Sequence, residues 1–452
     1  MEKLSKSKFC IIGCGATGLS TLRFLEYMDW KIEKIFDTRK FVSNFDRFKN
    51  YKLYLGEFNI EDFYDIDIII ISPGVSVFDK TIVKLKSQGK MIFGDVELFA
   101  RMIQNWNSKI IAITGSNGKT TVTNLVGEIC KFNHKDVLIA GNIGVPVLDS
   151  YVDCIKRGTH PEVIVLELSS FQLETISSLN IDVATVLNIS DDHLDRYNDL
   201  LEYAYIKSSI FNKAKIQILN INDELVLAMR RFQIKTIFFG KNINNYCSNE
   251  KFEVKENLLY INGIKYLDFC HVKLIGEHNY FNIAASLALV KALEIDINNQ
   301  NTLDAIKNFN PIEHRMQLVL VYNRISIIDD SKGTNVGAVL SGVSGLKYKV
   351  HLILGGDGKG QNFYPLRNLV QQQCKSVAII GKDRHIIFNI LQDLNIKIEL
   401  FDSMQDAVTF CFNNALPDEA IVLSPACSSL DMFDDYKHRS KVFIESVYAN
   451  IK

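Results

Sequence analysis

One glycine-rich turn restricts the fold of this chain more than any other segment. Residues 114–121 read Thr-Gly-Ser-Asn-Gly-Lys-Thr-Thr, directly after the apolar run 109–113 and before the helix-like stretch 122–130. A strand that leads through such a turn into a helix forms a phosphate cradle, because loop N–H groups and the positive end of the helix point to one spot. Lys119 can reach the outer phosphates of a nucleotide, and Thr120 can hold Mg²⁺. The turn therefore predicts an ATP site.

Ile113 occupies the position of the first glycine in the usual phosphate-loop pattern, so an ordinary glycine turn is the alternative. The order of strand, Gly-x-x-Gly-Lys-Thr and helix favours the phosphate site. Its expected ATP-binding residues are Gly115, Ser116, Asn117, Gly118, Lys119, Thr120 and Thr121.

Composition limits the class of protein. The chain has 452 residues, of which 47% are hydrophobic and 23% charged, enough for two to four globular domains. A formal net charge of -1 argues against a nucleic-acid partner and leaves small anionic substrates open. Nine cysteines without a C-x-x-C pair indicate neither a disulfide framework nor a zinc ribbon, and point to the cytoplasm. Glycines interrupt the one signal-like N-terminal run, and no apolar run is long enough for a membrane span, so neither export nor membrane insertion is expected.

Strand and helix signals alternate along three blocks, which predicts an α/β fold of three domains. Residues 1–103 are expected to form a Rossmann-like domain, residues 104–311 a central P-loop ATPase-type domain with a mainly parallel sheet, and residues 312–452 a second Rossmann-like domain. In the central block, Asn262-Gly263 between two short apolar runs predicts a β-hairpin. Because open α/β folds bind ligands at the carboxyl ends of their strands, the three domains are expected to meet around one cleft.

The first block carries a second glycine turn. Residues 13–18 match G-x-G-x-x-G between a strand and a helix, and Asp37 ends the following strand. This pattern is typical of a dinucleotide redox cofactor, but any nucleotide diphosphate fits the same turn. The Asp37 carboxylate can contact a ribose or a base, while Thr38 and Arg39 suit a uracil or a phosphate. A solvated strand end is an equal alternative for Arg39.

Three residues of the central block have possible roles in chemistry. Glu167 follows an apolar strand beside the phosphate loop, a position suited to Mg²⁺ binding, although a helix-capping acid fits it too. His193 lies in a polar cluster after the next strand, where it can ligate a metal, take a proton or simply lie on the surface. The pattern around Lys207 is that of a solvated lysine on a helix.

Three loops of the third block contain groups that bind anions. Residues 328–335 lie at the end of a predicted strand and contain acidic, basic and hydroxyl groups. Residues 355–359 lie at the end of the next predicted strand. Gly360 stands where Ser or Thr would hold Mg²⁺, so this second loop is not expected to bind ATP, and Lys359 is assigned to a substrate carboxylate. Residues 423–431 lead from a strand towards a helix and predict a further anion site. Cys427 is expected to be buried at the start of that helix rather than to act as a nucleophile.

In this order, these segments resemble the Mur ligases of bacterial cell-wall synthesis over nearly the whole chain. The third-block motifs resemble the branch of that family that adds D-glutamate, whereas the phosphate loop alone fits any Mur ligase and, less well, folylpolyglutamate synthetase. The motifs that carry the resemblance are residues 13–18, 37–39, 72–74, 114–121, 141–144, 167–174, 192–197, 276–282, 314–315, 330–335, 355–359 and 424–431.

The resemblance implies a role for each site residue. It assigns catalysis to Lys119, Glu167, His193 and Lys207, the last as the lysine that CO₂ carbamylates in the family. It assigns two Mg²⁺ ions to Thr120, Glu167, His193 and carbamylated Lys207, and further ATP contacts to Asn282, Arg315, Asp330 and Lys332. It assigns the UDP substrate to Thr17, Asp37, Thr38, Arg39, Ser72, Gly74, Asn142 and Ser169. It assigns D-glutamate to Thr334, Lys359, Ser429, Leu430 and Tyr436, the last at a position where the family commonly has Phe.

The implied activity is ATP-dependent ligation of D-glutamate to UDP-N-acetylmuramoyl-L-alanine through an acyl phosphate, in peptidoglycan precursor synthesis. The implied protein is a cytoplasmic monomer with small-molecule substrates. Two other classes stay open from the residues alone. A nicotinamide-dependent dehydrogenase would use residues 13–18 and Asp37 but would give the phosphate loop no role. A non-catalytic nucleotide-binding regulator would explain the loops but not the three sets of ionic residues. The group that takes the amine proton is also open, and His193 is one candidate.

Overall fold

The chain folds into three α/β domains, each built on its own sheet. The computed structural model describes residues 2–42, 44–243, 250–274 and 276–451. The sheets contain five, nine and six strands, most of them parallel, which confirms the predicted fold class. They span residues 9–93, 109–268 and 317–423, and the domain boundaries at 103 and 311 stay predictions. Within the described residues, no helix is long and apolar enough to cross a bilayer.

The first sheet is entirely parallel, with the order β3-β2-β1-β4-β5. Its strands are β1 (Phe9–Ile12), β2 (Ile32–Asp37), β3 (Leu53–Leu55), β4 (Ile68–Ile71) and β5 (Met91–Phe93). The helices of this domain are α1 (Glu2–Ser5), α2 (Ala16–Tyr27), α3 (Phe45–Phe48), α4 (Lys80–Ser87) and α5 (Asp95–Met102). The strand order reverses at β1, so the loops after β1 and β4 flank the crevice in which such folds bind ligands.

The central sheet has the order β14-β13-β12-β11-β10-β9-β6-β8-β7. Its strands are β6 (Lys109–Thr114), β7 (Val137–Gly141), β8 (Val163–Glu167), β9 (Ile181–Val186), β10 (Ala214–Asn220), β11 (Lys235–Gly240), β12 (Lys251–Lys255), β13 (Leu258–Ile261) and β14 (Ile264–Asp268). Its helices are α6 (Lys119–Phe132), α7 (Val147–Arg157), α8 (Ser170–Leu173), α9 (Leu200–Ser208), α10 (Glu224–Ala228), α11 (Glu277–Ala292) and α12 (Gln300–Asn308). The predicted hairpin is confirmed: β13 and β14 are antiparallel, and Asn262 and Gly263 both have positive φ, 52° and 81°.

The third sheet has the order β15-β16-β20-β17-β18-β19, and only its edge strand β15 is antiparallel to its neighbour. Its strands are β15 (Gln317–Tyr322), β16 (Ile325–Asp329), β17 (Val350–Gly355), β18 (Cys374–Ile380), β19 (Lys397–Leu400) and β20 (Ala420–Leu423). Its helices are α13 (Val336–Val343), α14 (Leu366–Gln373), α15 (Arg384–Leu391), α16 (Met404–Asn414) and α17 (Tyr436–Asn450). One prediction is wrong. Cys427 is buried, but it lies in the loop after β20, because α17 begins only at Tyr436.

The first and central domains share an apolar core. One cluster contains Phe24 and Phe99 of the first domain together with Tyr151 of α7, and the Phe24 and Tyr151 rings lie 5.7 Å apart. The buried Glu97 carboxylate also accepts hydrogen bonds from the backbone N–H groups of Ser177 and Ser178, both at 2.8 Å. The two clusters of the third domain are made of residues 316–451. The central and third domains therefore meet mainly through the polar contacts described next.

Candidate active site

The phosphate loop joins β6 to α6 in the order that the sequence predicts. Gly118 precedes α6 with a φ of 83°, and a Cβ at this position would lie 2.5 Å from Asn282 Oδ1, so the loop requires glycine here. Lys119 Nζ donates hydrogen bonds to the carbonyls of Gly115 at 2.7 Å and Ser116 at 2.9 Å. Burial lowers the pKa of Lys119. The loop thus combines a cation with the N–H groups that bind phosphate.

Two oxygen donors beside the loop fit Mg²⁺. Thr120 Oγ1 accepts a hydrogen bond from Lys332 Nζ at 3.3 Å. Glu167 at the end of β8 is 2% exposed; its Oε1 accepts from Asn142 Nδ2 at 3.2 Å, and its Oε2 has no hydrogen-bond partner among the described residues. A buried, unpaired carboxylate oxygen suits a hard cation. No three His, Cys, Asp or Glu side chains in the described ranges form a metal cluster.

His193 lies where the central and third domains meet. Its Nε2 is 3.7 Å from Asp192 Oδ2, and its ring packs against Phe171 with the centroids 4.6 Å apart. Asp192 Oδ1 in turn lies 3.3 Å from Lys359 Nζ. Burial lowers the pKa of His193 to about 4, although the charge of Asp192 acts in the opposite direction. The imidazole is therefore neutral at pH 7 and able to accept a proton or ligate a metal.

Lys207 is buried and not a solvated helix lysine. Its side chain points from α9 under the phosphate loop, where Nζ donates to Thr114 Oγ1 at 3.2 Å and lies 4.7 Å from the centroid of the Tyr203 ring. Burial, reinforced by the charge of Lys119, holds the pKa of Lys207 well below its ordinary value. The amine is thus chemically different from the lysines on the surface.

A cavity of about 410 Å³ opens beside the phosphate loop. Its lining includes Asn282, Arg315 and Asp330, three of the four further residues assigned to ATP, together with Asn117 and Gly118 of the loop. Burial raises the pKa of Asp330 to about 7, and the hydrogen bond from Ser424 Oγ at 2.6 Å opposes this shift. Arg315 Nε is buried and has no hydrogen-bond partner in the described residues. The cavity therefore offers polar groups beside the loop for a nucleotide.

A second cavity, of about 640 Å³, lies between the first and central domains. Seven of the eight residues assigned to the UDP substrate line it: Thr17, Asp37, Thr38, Arg39, Ser72, Gly74 and Asn142. The eighth, Ser169, caps α8, where its Oγ accepts a hydrogen bond from Gln172 N.

The Asp37 carboxylate lies at this second cavity and accepts hydrogen bonds from the residues around it. Its Oδ2 accepts from Cys14 N at 2.7 Å, and its Oδ1 accepts from Arg39 N at 2.9 Å and from Arg39 Nε at 2.8 Å. Burial acts to raise the pKa of Asp37, but the hydrogen bonds from Arg39 and Cys14 outweigh it and hold the pKa below its ordinary value. Arg39 is thus paired with a carboxylate at the cavity, while its side chain is 57% exposed, so its assignment to the substrate stays a prediction.

The residues assigned to D-glutamate lie in three loops and at the start of α17 in the third domain. Backbone hydrogen bonds between Asp357 and Ser428, at 3.0 and 2.8 Å, tie the loop of Lys359 to the loop of Ser429 and Leu430. Ser429 is buried, whereas Leu430 is 72% exposed. The remaining two, Thr334 and Tyr436, lie near Lys332: Thr334 N donates to the Lys332 carbonyl, and Lys332 Nζ is 5.3 Å from the centroid of the Tyr436 ring.

Sequence reasoning missed several residues of these sites. Asp192 stands inside a motif singled out for His193, and its buried carboxylate pairs with Lys359. Asp95 and Gln172 line the second cavity from two different domains. Ser424 orients Asp330, and Asn335 contacts Asn117. Asp192, Gln172, Ser424 and Asn335 had a local signal, since all four fall inside polar motifs that follow apolar strands, whereas Asp95 had none.

Comparison with known proteins agrees with this architecture. Residues 7–94 match the family described as Mur ligase MurD-like, N-terminal domain; residues 113–290 match the Mur ligase middle domain; residues 314–427 match the Mur ligase glutamate ligase domain. The structure of a MurF ligase from Thermotoga maritima in complex with ADP has a TM-score of 0.60 at 15% identity and covers 100% of both chains. At this identity the likeness concerns the fold.

Two relatives are similar over nearly their full length. The UDP-N-acetylmuramoylalanine--D-glutamate ligase of Chromobacterium violaceum is 39% identical over 446 residues, which cover 97% of each chain. The protein of the same name from Methylobacillus flagellatus is 40% identical over 453 residues, which cover 99% of this chain and 98% of the relative. The chain therefore belongs to the Mur ligase family, in the group that these D-glutamate ligases represent.

Proposed function

We propose that the protein is an ATP-dependent amide ligase that adds D-glutamate to UDP-N-acetylmuramoyl-L-alanine in peptidoglycan precursor synthesis. The names of the full-length relatives support this activity. The structural observation that carries it is the hydrogen bond of 3.2 Å between Asn142 Nδ2 and Glu167 Oε1. Asn142 lines the second cavity, and Glu167 lies beside the phosphate loop, so a substrate held in that cavity can bring its far end to the nucleotide.

The chemistry of such a ligase has two displacements. An oxygen of the substrate carboxylate forms a bond to the γ-phosphorus of ATP, the bond from that phosphorus to the β,γ-bridging oxygen breaks, and ADP leaves with that oxygen. The amine nitrogen of D-glutamate then attacks the acyl carbon, and the tetrahedral intermediate expels phosphate and loses a proton to give the amide. Water would hydrolyse the acyl phosphate, so the cleft has to exclude it.

Residues of the central domain would act on the phosphates. Lys119 and the loop N–H groups would stabilise the charge that moves onto the leaving ADP. Thr120, Glu167, His193 and a carbamate on Lys207 would hold two Mg²⁺ ions, which supply further electrostatic stabilisation of the phosphates. The unpaired Glu167 Oε2 and the neutral His193 support this assignment. His193 is also one candidate for the group that takes the amine proton.

The carbamate on Lys207 would form when the lone pair of Nζ attacks CO₂. A new N–C bond forms as one C–O π bond of CO₂ breaks and its electron pair moves onto oxygen; a proton leaves the nitrogen, which then carries a carboxylate as a carbamate. Only a neutral amine reacts, and burial keeps the pKa of Lys207 low. With ¹³C-labelled CO₂, we expect a carbamate resonance in the wild type and none in Lys207→Met. The carbamate assignment fails if the two spectra are the same.

Residues of all three domains would bind the remaining ligands. Asn282, Arg315, Asp330 and Lys332 would contact ATP around the first cavity, in which three of them lie. Thr17, Asp37, Thr38, Arg39, Ser72, Gly74, Asn142 and Ser169 would bind the nucleotide sugar. Lys359, Thr334, Ser429, Leu430 and Tyr436 would receive D-glutamate. We further propose that the protein acts as a cytoplasmic monomer with domain boundaries at residues 103 and 311.

The decisive experiment measures phosphate release with ATP, UDP-N-acetylmuramoyl-L-alanine and either D- or L-glutamate. We expect release only when the nucleotide sugar and the D-isomer are both present. Release with L-glutamate, or without the nucleotide sugar, would contradict the proposed specificity. NAD binding without ADP formation would instead favour a dehydrogenase.

A further inference from the structure

Helix α13 of the third domain begins directly against the phosphate loop of the central domain. The side-chain amides of Asn117 and Asn335 form a reciprocal pair: each Nδ2 donates to the other Oδ1, both at 3.1 Å. Asn335 also caps α13, because its Oδ1 accepts from Ala338 N at 2.8 Å. The Asn335 side chain therefore both caps α13 and holds the start of this helix against the phosphate loop.

Asn117 is itself held in one orientation. Its backbone N–H donates to Asn188 Oδ1 at 2.8 Å, and its carbonyl accepts from Asn188 Nδ2 at 3.1 Å. With the backbone fixed on this side, the Asn117 amide is presented to α13 and to Ser190, whose Oγ accepts from Asn117 Nδ2 at 3.4 Å. The phosphate loop thus offers a preformed docking surface to the third domain.

Gly337 makes the close approach possible. It is the second residue of α13, and a Cβ built on it would lie 2.8 Å from Ser190 Oγ, 3.1 Å from Ser190 Cβ and 3.4 Å from Asn117 Nδ2. Its φ is outside the left-handed region, so the backbone accepts alanine, which is also the better helix former by about 1 kcal/mol. The third domain alone gives no reason for glycine here; the contact with the central domain does.

We propose that Asn335 and Gly337 are positioning residues for the ligase reaction, because they seat the third domain on the phosphate loop at Asn117 and Ser190. This inference rests on the proposed function. The seating determines where Lys332 and Lys359 lie relative to the loop, since the third domain carries both. Neither Asn335 nor Gly337 needs to touch a substrate to have this effect.

The test compares Gly337→Ala with Gly345→Ala in the full-length enzyme. Gly345 is exposed, and the nearest atom to its added Cβ would be 3.6 Å away, so it is a matched glycine-to-alanine control. We expect kcat of Gly337→Ala to fall on the order of 10- to 100-fold, because small displacements of reacting groups have effects of this size. The KM for the nucleotide sugar is expected to stay at the wild-type value and the melting temperature is expected not to fall, and Gly345→Ala is expected to keep the wild-type kcat.

A compensating substitution distinguishes a displaced third domain from a misfolded variant. Ser190→Gly removes the two nearest of the three atoms that the alanine would meet and leaves only Asn117 Nδ2 at 3.4 Å, so the double variant is expected to recover kcat relative to Gly337→Ala. Asn335→Asp keeps the helix cap but cannot donate to Asn117 Oδ1, so its kcat is also expected to fall. Wild-type kcat in Gly337→Ala, or a loss that Ser190→Gly does not relieve, would overturn the inference. Absence of turnover in the wild type would instead refute the proposed function.

Discussion

Lys359 Nζ lies 3.3 Å from Asp192 Oδ1, so a cation of the third domain and a buried carboxylate of the central domain face each other across the cleft. If Lys359 binds a carboxylate of D-glutamate, Lys359→Met should raise the KM for D-glutamate about tenfold or more, since a charged hydrogen bond contributes roughly 1.5–3 kcal/mol. The KM for ATP should change little. Steady-state kinetics with each substrate varied in turn measures this, with the exposed Lys397→Met as the control. Equal changes in both KM values would contradict the assignment.

Glu167→Gln tests the metal site. The amide keeps the shape of the side chain and can still accept from Asn142, but it removes the negative charge that the unpaired Oε2 offers to a cation. We expect the Mg²⁺ concentration for half-maximal activity to rise by about tenfold or more, because a hard cation favours a charged oxygen ligand. Magnesium titration of turnover measures the shift. Glu162→Gln, at an exposed glutamate just before the same strand, should leave the titration unchanged.

Asp330→Asn should alter how stability depends on pH. Burial raises the pKa of Asp330 from 3.8 to about 7, so between these values the folded chain holds a proton that the unfolded chain has released. The contribution of this group to the free energy of unfolding therefore falls as pH rises from about 4 to 7. Between pH 5 and pH 8, the free energy of unfolding of the wild type should therefore fall by on the order of 2 kcal/mol more than that of Asp330→Asn.

Urea denaturation at both pH values measures that difference. The exposed Asp402→Asn serves as the control, and it should reproduce the wild-type pH dependence. An identical pH dependence in the wild type and in Asp330→Asn would show that the carboxyl is ionised in the fold at neutral pH.

Asp37→Asn should weaken binding of the nucleotide sugar. The carboxylate accepts hydrogen bonds from Cys14 N and from Arg39, and an amide nitrogen at Oδ2 could not accept from Cys14. We expect the Kd for the nucleotide sugar to rise about tenfold, and the free energy of unfolding to fall by about 1–2 kcal/mol because a buried N–H loses its acceptor. Calorimetric titration with the nucleotide sugar gives the Kd. Asp46→Asn, on the surface of the same domain, should match the wild type; a wild-type Kd in Asp37→Asn would exclude this role.

The pH dependence of Asp37 has the opposite sign to that of Asp330. Its pKa is depressed in the folded chain, so its stabilising contribution is complete above its ordinary value of 3.8 and is lost as pH falls through the folded-state pKa. Asp37→Asn should therefore cost less stability in strong acid than at pH 7. Denaturation curves at pH 3 and pH 7 distinguish this loss from a general weakening of the domain.

Local features of the fold could be predicted because their cause lies within a few residues. The phosphate loop follows from a strand, two glycines and a helix in sequence, and the hairpin at Asn262-Gly263 follows from two residues that tolerate positive φ. The start of α17 could not be placed in this way. A loop of mixed polar and apolar residues extends from Ser424 to Asp435, and only the cap that Asp435 provides marks the first turn of the helix.

The contacts between domains had no local signal. Asn117 and Asn335 are 218 residues apart, and Asp192 and Lys359 are 167 residues apart. Each pair depends on how two separately folded sheets are placed, which periodicity and turn residues do not encode. The burial of Lys207 also had no local signal. Its helix has the pattern of a solvated surface, and only the position of the loop above it makes the amine buried.

The shared apolar core of the first and central domains has a consequence for how the protein unfolds. Phe24, Phe99 and Tyr151 belong to one cluster that spans both sheets, whereas the third domain has clusters of its own. Heating should therefore melt the first two domains as one calorimetric unit and leave the third free to melt as another. A protease should likewise cut first in the connection near Pro311 and release the third domain as a compact fragment.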